Sequence, residues 1–229
     1  MRLGERIVDG IFLERPNRYL AQVEIDGRKL LAHVPDPGRL PGLMIPGRRV
    51  RLVHNPSPKR KTDYSLVLVR HGSIWVSVYP VFANKLVEQA LADRALSELQ
   101  GYSGFKREVR CGKSRFDFQV DFPKTPAFVE VKSVSFVEKE VGRFPDAPTE
   151  RGVKHLKELV ELRKKGCRTV VLFVSPRSDT RLVTSNDEID PRFGEWLRKA
   201  GKSGVELYAY NCRVTSTSVS LHRPVPVAI

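Results

Sequence analysis

At 229 residues, with 41% hydrophobic and 29% charged side chains, the chain is long enough to bury a core and has the composition of a globular protein. Its 40 Lys and Arg against 26 Asp and Glu leave a net charge of +14, which points to a polyanionic partner, nucleic acid before an acidic membrane surface. Three scattered cysteines (Cys111, Cys167, Cys212) exclude a disulfide framework and a zinc spacing, and the longest apolar run, VVLFV at 170–174, is too short to span a bilayer.

The first 80 residues read as strands. RYLAQVEI (18–25) and RKLLAHV (28–34) flank Asp26-Gly27, a two-residue hairpin signal. RRVRLVH (48–54), YSLVLVR (64–70) and SIWVSV (73–78) continue the pattern, with His71-Gly72 as a second tight turn and a Pro/Gly-rich loop over 35–47. Five or six short strands in this length predict a small closed barrel of the OB type. The segment carries 14 basic and 7 acidic side chains, a denser positive charge than the 26 and 19 of the remainder. Asn17, Arg18, Tyr19, Arg39 and the run Lys59, Arg60, Lys61 are candidate DNA contacts, because an aromatic ring beside cations suits base stacking with phosphate contact. A core position for Tyr19 and a solvated loop for the basic run are the plain alternatives.

Pro80 marks a change of period. Phe82 to Leu99 predicts a helix, followed by strands at 105–111, 115–121 and 128–134. A second helix over 149–165 has Thr149 as N-cap and Gly166 after its end; a strand follows at 168–174. A third helix starts at 191 behind Asp190, and 205–210 is the last clear strand. The expected architecture is a two-domain α+β protein: an all-β OB-like domain (1–80) and a mixed α/β domain (81–229).

The strand FVEVKSVSF (128–136) carries Glu130 and Lys132 inside an apolar run, where an unpaired charge is costly. Alternation puts Phe116, Phe118 and Val120 on one face of the preceding strand and Arg115, Asp117, Gln119 and Asp121 on the other. A solvated polar face explains either strand alone. The fully apolar VVLFV, however, reads as a strand covered on both sides, and acids on its neighbours then cluster in a cleft. The first helix adds a carboxylate on its apolar side, either Glu88 or Glu98. Asp117, then Glu130-Val131-Lys132, behind a helix bearing an inward Glu, is the pattern of a PD-(D/E)XK nuclease core. Asp117, Glu130 and one of these two helix glutamates are the candidate ligands for Mg²⁺ or Mn²⁺, since hard carboxylate oxygens suit such ions. Lys132 and the helix glutamate are candidate catalytic groups, the lysine to offset charge developing on the phosphate. Arg151 and His155 share one side of the second helix, with Lys154 and Lys157 on another. His155 is a third catalytic candidate, with a structural role as the alternative, and Arg115, Arg151 and Lys154 are candidate phosphate contacts.

RPNRYLAQVEIDGRKLLAHVPDPGRL, SRFDFQVDF, AFVEVKSVSF and GRFPDAPTERGVKHLKEL together resemble the sugar fermentation stimulation protein A family over nearly the whole chain. The resemblance implies an OB-like domain, a PD-(D/E)XK-like domain, DNA binding without marked sequence preference and a role in regulating sugar, notably maltose, metabolism. It carries nuclease-type positions onto Glu98, Asp117, Glu130 and Lys132, and so implies Glu98 as the helix glutamate that serves as metal ligand and catalytic group. Where the family reads Pro-Asn-Thr-Gly, this chain has Pro35-Asp36-Pro37-Gly38. Two functions follow: an Mg²⁺-dependent DNA nuclease, or a non-catalytic DNA-binding regulator on a retired nuclease scaffold. No signal-peptide pattern opens the chain, so the expected compartment is the cytoplasm, with DNA, double- or single-stranded, as partner. Whether two copies pair as a homodimer is open on the sequence.

Overall fold

Strands β1 (Ile7–Asn17), β2 (Leu20–Ile25) and β3 (Arg28–His33) form a meander, and β4 (Arg49–His54), β5 (Tyr64–His71) and β6 (Ile74–Ser77) follow it in a computed structural model that describes residues 1–56, 61–112 and 114–229. Asp26 and Gly27, both at positive φ, make the β2–β3 turn that their sequence signals. β1 pairs with β2 and β4, and β3 meets β5 through Ala32 opposite Tyr64 and His33 opposite Ser65. Five strands thus close into an OB barrel around Phe12, Val23, Leu52, Leu66 and Val69, and β6 extends β5 as a hairpin. The sequence reading missed β1, because Asp9-Gly10 and Pro16 look like turn residues. Gly10 serves close packing instead: a Cβ there would stand 2.9 Å from Leu52 Cδ1 and 3.0 Å from the Glu24 carbonyl.

The remainder comprises α1 (Val81–Ala92), β7 (Gly104–Cys111), β8 (Ser114–Asp121), β9 (Ala127–Ser133), β10 (Val137–Glu138), β11 (Val141–Phe144), α2 (Glu150–Lys164), β12 (Arg168–Ser175), β13 (Leu182–Ser185), α3 (Pro191–Lys202), β14 (Glu206–Val214), β15 (Val219–Val225) and β16 (Val227–Ala228). The main sheet has the order β15-β14-β12-β9-β8-β7, with β9, β12 and β14 parallel at its centre. β10, β11, β13 and β16 form a smaller sheet. α1 packs one face through Leu86, Val87 and Leu91 against Val129 and Leu172, while α2 and α3 cover the other through Leu156, Leu159 and Leu197 against Val171 and Phe173. β12 is therefore buried from Thr169 to Ser175, as its apolar sequence requires.

Barrel and sheet share a core. Val67, Leu68 and Trp75 belong to the same cluster as α1, and the chain's first residues join the second half, Leu3 N–H donating to the Thr217 carbonyl at 3.1 Å. Among the described residues no helix is long and apolar enough to cross a membrane.

Two expectations need correction. The helix expected over 82–99 ends at Ala92: Arg94 adopts φ 52°, its N–H bonds the Leu91 carbonyl and that of Ala95 bonds Ala90. This is a Schellman stop with arginine where glycine is usual. Nor do Phe116, Phe118 and Val120 share a face, since Phe118 and Val120 lie under α1 while β8 twists Phe116 into the core under α2.

Candidate active site and nucleic-acid surface

The site begins where two strands part. β8 and β9 pair from Val120 opposite Ala127 to Phe118 opposite Val129, and no further. The Val131 N–H beyond that point donates to Asp117 Oδ2 at 2.8 Å, so the aspartate completes the interrupted ladder. Asn84, on α1, donates its amide to Asp117 Oδ1 at 2.6 Å. Glu130 sits in the same opening, 4% exposed. Its Oε1 accepts from Lys132 Nζ at 2.7 Å and from the Nδ1–H of His155, while its Oε2 is buried and has no hydrogen-bond partner among the described residues. His155 is also 4% exposed, its ring tucked against Phe116.

The two acids are driven in opposite directions. Burial, then the Glu130 charge, pushes Asp117 above the usual carboxylate range, against the Val131 and Asn84 hydrogen bonds. Burial also pushes Glu130 up, but the His155 hydrogen bond and the Lys132 and His155 charges outweigh it and hold its carboxyl low. Titratable groups whose environments drive their protonation apart are the mark of acid–base sites. The residues fit a divalent cation: Glu130 Oε2 is an unsatisfied buried oxygen beside a second carboxylate, and Mg²⁺ needs only one or two protein carboxylates. Among the described residues no group of three or more His, Cys, Asp or Glu converges as metal ligands.

Glu98 does not join this pair. With α1 ending at Ala92, its carboxylate accepts from the Tyr210 hydroxyl at 2.5 Å and its carbonyl from Arg168 at 2.7 Å. Burial, reinforced by Glu98, pushes Tyr210 up to about 12. The α1 carboxylate on the site's side is Glu88, one turn along from Asn84 and paired with Arg107 at 2.8 Å.

Beside His155 opens a groove of about 440 Å³ lined by Ser114, Arg115, Glu150, Arg151 and Lys154. Arg115, Arg151 and Lys154 thus line one groove, and Lys154 shares it with Arg151 and His155 rather than lying on another side. Adjoining hollows add Arg110 and, past Lys154, Lys157 and Arg192. Sequence reasoning did not single out Arg110, Arg192 or Asn84; nothing short of the fold marks a lone amide on a helix.

On the barrel, Tyr19 is 50% exposed and not a core residue. The Arg18 guanidinium stands 5.2 Å from its ring centre. Asn17, Tyr19 and Lys61 line a hollow of about 400 Å³ with Leu20, His33 and Thr62. Arg39 is exposed on the loop before β4, and Lys59 and Arg60 lie outside the described residues. Asp36 Oδ1 accepts the Gly38 N–H at 2.8 Å, a bond that an asparagine oxygen makes equally well, so the altered tetrapeptide keeps its turn.

Residues 81–218 match the family model described as the sugar fermentation stimulation protein RE domain, and residues 13–78 match the SfsA N-terminal OB domain. Proteins named sugar fermentation stimulation protein homolog from Clostridium perfringens and Caldanaerobacter subterraneus are each 40% identical to this chain, over 230 and 229 residues. The homolog from Thermoanaerobacter pseudethanolicus is 41% identical over 230 residues; in all three, 100% of both chains is covered. A solved structure described as Pyrococcus furiosus SfsA in complex with Ca²⁺ is similar at a TM-score of 0.89 and 30% identity, covering 100% of this chain and 98% of that one.

Proposed function

The chain belongs to the sugar fermentation stimulation protein family, and from that premise we propose that it binds DNA without marked sequence preference and hydrolyses phosphodiester bonds at the Asp117–Glu130 pair. The observation that carries this reading is the buried Glu130 Oε2, unpartnered among the described residues, beside Asp117 and next to a groove lined by Arg115, Arg151 and Lys154. Asp117 and Glu130 would hold Mg²⁺ or Mn²⁺, which when bound supplies Lewis-acid polarisation of the scissile phosphate and a water of lowered pKa. The Ca²⁺ of the Pyrococcus relative supports a divalent site in this family, since Ca²⁺ also takes oxygen ligands.

The chain's own groups do the rest. Lys132, with its side chain 11% exposed, keeps Glu130 ionised and offers an ammonium to the charge that develops on the phosphate. His155, fixed through Nδ1 by Glu130, is held rigidly beside the groove where it orders the reacting strand. Arg115, Arg151 and Lys154 grip the backbone and carry no base specificity.

The test is cleavage of plasmid, linear and single-stranded DNA with Mg²⁺ or Mn²⁺, beside Asp117→Ala. Metal-dependent cutting lost in the variant supports the reading. A second reading, a non-catalytic DNA-binding regulator of sugar metabolism such as that of maltose, is favoured by the absence of a third converging ligand among the described residues. Equal DNA binding by both proteins without any cutting would select it.

A further inference from the structure

The hollow on the barrel has the makings of a base-binding site. It lies between the β1–β2 turn and the β4–β5 loop, the region where OB barrels receive oligonucleotides. Tyr19 is presented there on a fixed backbone. Its N–H donates to Asn17 Oδ1 at 2.9 Å and its carbonyl accepts the Val34 N–H at 2.8 Å, yet half of the side chain meets solvent. An aromatic ring on a fixed backbone and left half bare is a stacking platform, and Arg18 and Lys61 beside it supply charge for the flanking phosphates.

That turn is also tied to the candidate active site. Arg15 donates to the Arg18 carbonyl at 2.7 Å, to that of Asp36 at 2.8 Å and to that of Gly38 at 2.7 Å. Gly38 in turn lies so close to Asp146 that a Cβ on it would stand 2.3 Å from the carboxylate. Asp146 is four residues ahead of Glu150, where α2 begins and the basic groove with it. Arg15 and the Gly38–Asp146 approach thus link the Tyr19 turn to the segment that leads into α2.

We propose that the Tyr19 hollow takes an unpaired base of the same DNA whose duplex part lies on the α2 groove, so that the preferred substrate is duplex DNA bearing a single-stranded end. This rests on the DNA-binding reading above and adds the class of substrate. A base stacked on Tyr19 leaves its neighbours' phosphates to Lys61 and Arg18. The paired strands cannot enter a hollow of about 400 Å³, and they meet Arg115, Arg151 and Lys154 instead.

The experiment is fluorescence anisotropy of the full chain in EDTA with three labelled DNAs: a blunt duplex, the same duplex with an overhang of about eight nucleotides, and the single strand. The proteins are wild type, Tyr19→Ala and Tyr19→Phe; a half-exposed side chain makes both variants safe for folding. The expected result is tighter binding of the overhang duplex than of the blunt one. Tyr19→Ala then weakens the overhang complex about tenfold, leaves the blunt complex unchanged, and Tyr19→Phe restores the wild-type value. Equal affinity of wild type for blunt and overhang duplex, or an equal loss on both with Tyr19→Ala, overturns the proposal while leaving DNA binding intact. Binding to none of the three overturns the DNA-binding reading and this inference with it.

Discussion

Glu130 and Asp117 are neighbours with opposite energetic signs, and single substitutions separate them. Glu130 is held ionised by Lys132 and His155, so its partners stabilise the fold above the ordinary carboxylate pKa of 4.5 and that contribution is lost as pH falls through its lowered value. Glu130→Gln removes one side of a buried pair and should cost about 3 kcal/mol in denaturant titration. Asp117 has a raised pKa, so its ionised form penalises the fold, and stability falls as pH rises through that value. Asp117→Asn keeps both hydrogen bonds if Asn84 turns its amide, and should raise the melting temperature at neutral pH while abolishing the cleavage proposed above. Asp36 obeys the same sign. Burial first, with Asp146 adding to it, raises it to about 6 against the Gly38 N–H and Arg15. The penalty is absent below 3.8, grows between 3.8 and about 6, and is complete above. Asp36→Asn should therefore stabilise by on the order of 1–3 kcal/mol at pH 7 and by nothing at pH 3.5, read from melting temperature against pH. Glu130 and Lys132 were legible in the sequence because charges inside an apolar run need a reason. Asn84 was not, because a neutral amide at that spacing fits any half-buried helix position.

The helices that carry the site are held by their caps. Asp190 Oδ1 accepts the Phe193 N–H at 2.9 Å and its Oδ2 accepts the Thr149 N–H at 2.8 Å, so one carboxylate starts α3 and anchors the entry to α2. Thr149 Oγ1 then accepts the Gly152 N–H at 3.0 Å. Asp190→Ala, which removes two charge-assisted bonds, should cost about 3 kcal/mol by chemical denaturation. Thr149→Ala should cost about 1 kcal/mol. An Asp190→Ala penalty no larger than that of Thr149→Ala would dissociate the two helix starts. Both caps were readable from Thr149, Asp190 and Pro191, because their chemistry is local. The end of α1 was not: its Schellman stop is built on Arg94, whose guanidinium bonds the Tyr102 carbonyl at 2.8 Å, a tertiary contact that no local signal announces. Misplacing that end carried Glu98 into a helix it does not belong to. β1 and β15 were missed for the converse reason, since Gly10 and Pro224 read as breaks yet sit within paired strands.

At the scale of the molecule, Val67, Leu68 and Trp75 of the barrel are packed in one core with α1, and Ser77 N–H donates to the Pro176 carbonyl at 2.9 Å across the join. Barrel and sheet should therefore unfold together: calorimetry is expected to give one transition with equal calorimetric and van't Hoff enthalpies, and two resolved transitions would contradict a shared core. The net charge of +14 was plain in the sequence; that Arg115, Arg151 and Lys154 face one groove beside Glu130 was not, because they come from a hairpin and a helix joined only by the fold. Asp117 and Glu130 are proposed to hold a divalent cation together. Calorimetric titration with Mn²⁺ of wild type and of folded Asp117→Asn tests this most directly. A saturable site in the wild type that vanishes in the variant is the predicted result; no binding to the wild type, or equal binding to both, would contradict it.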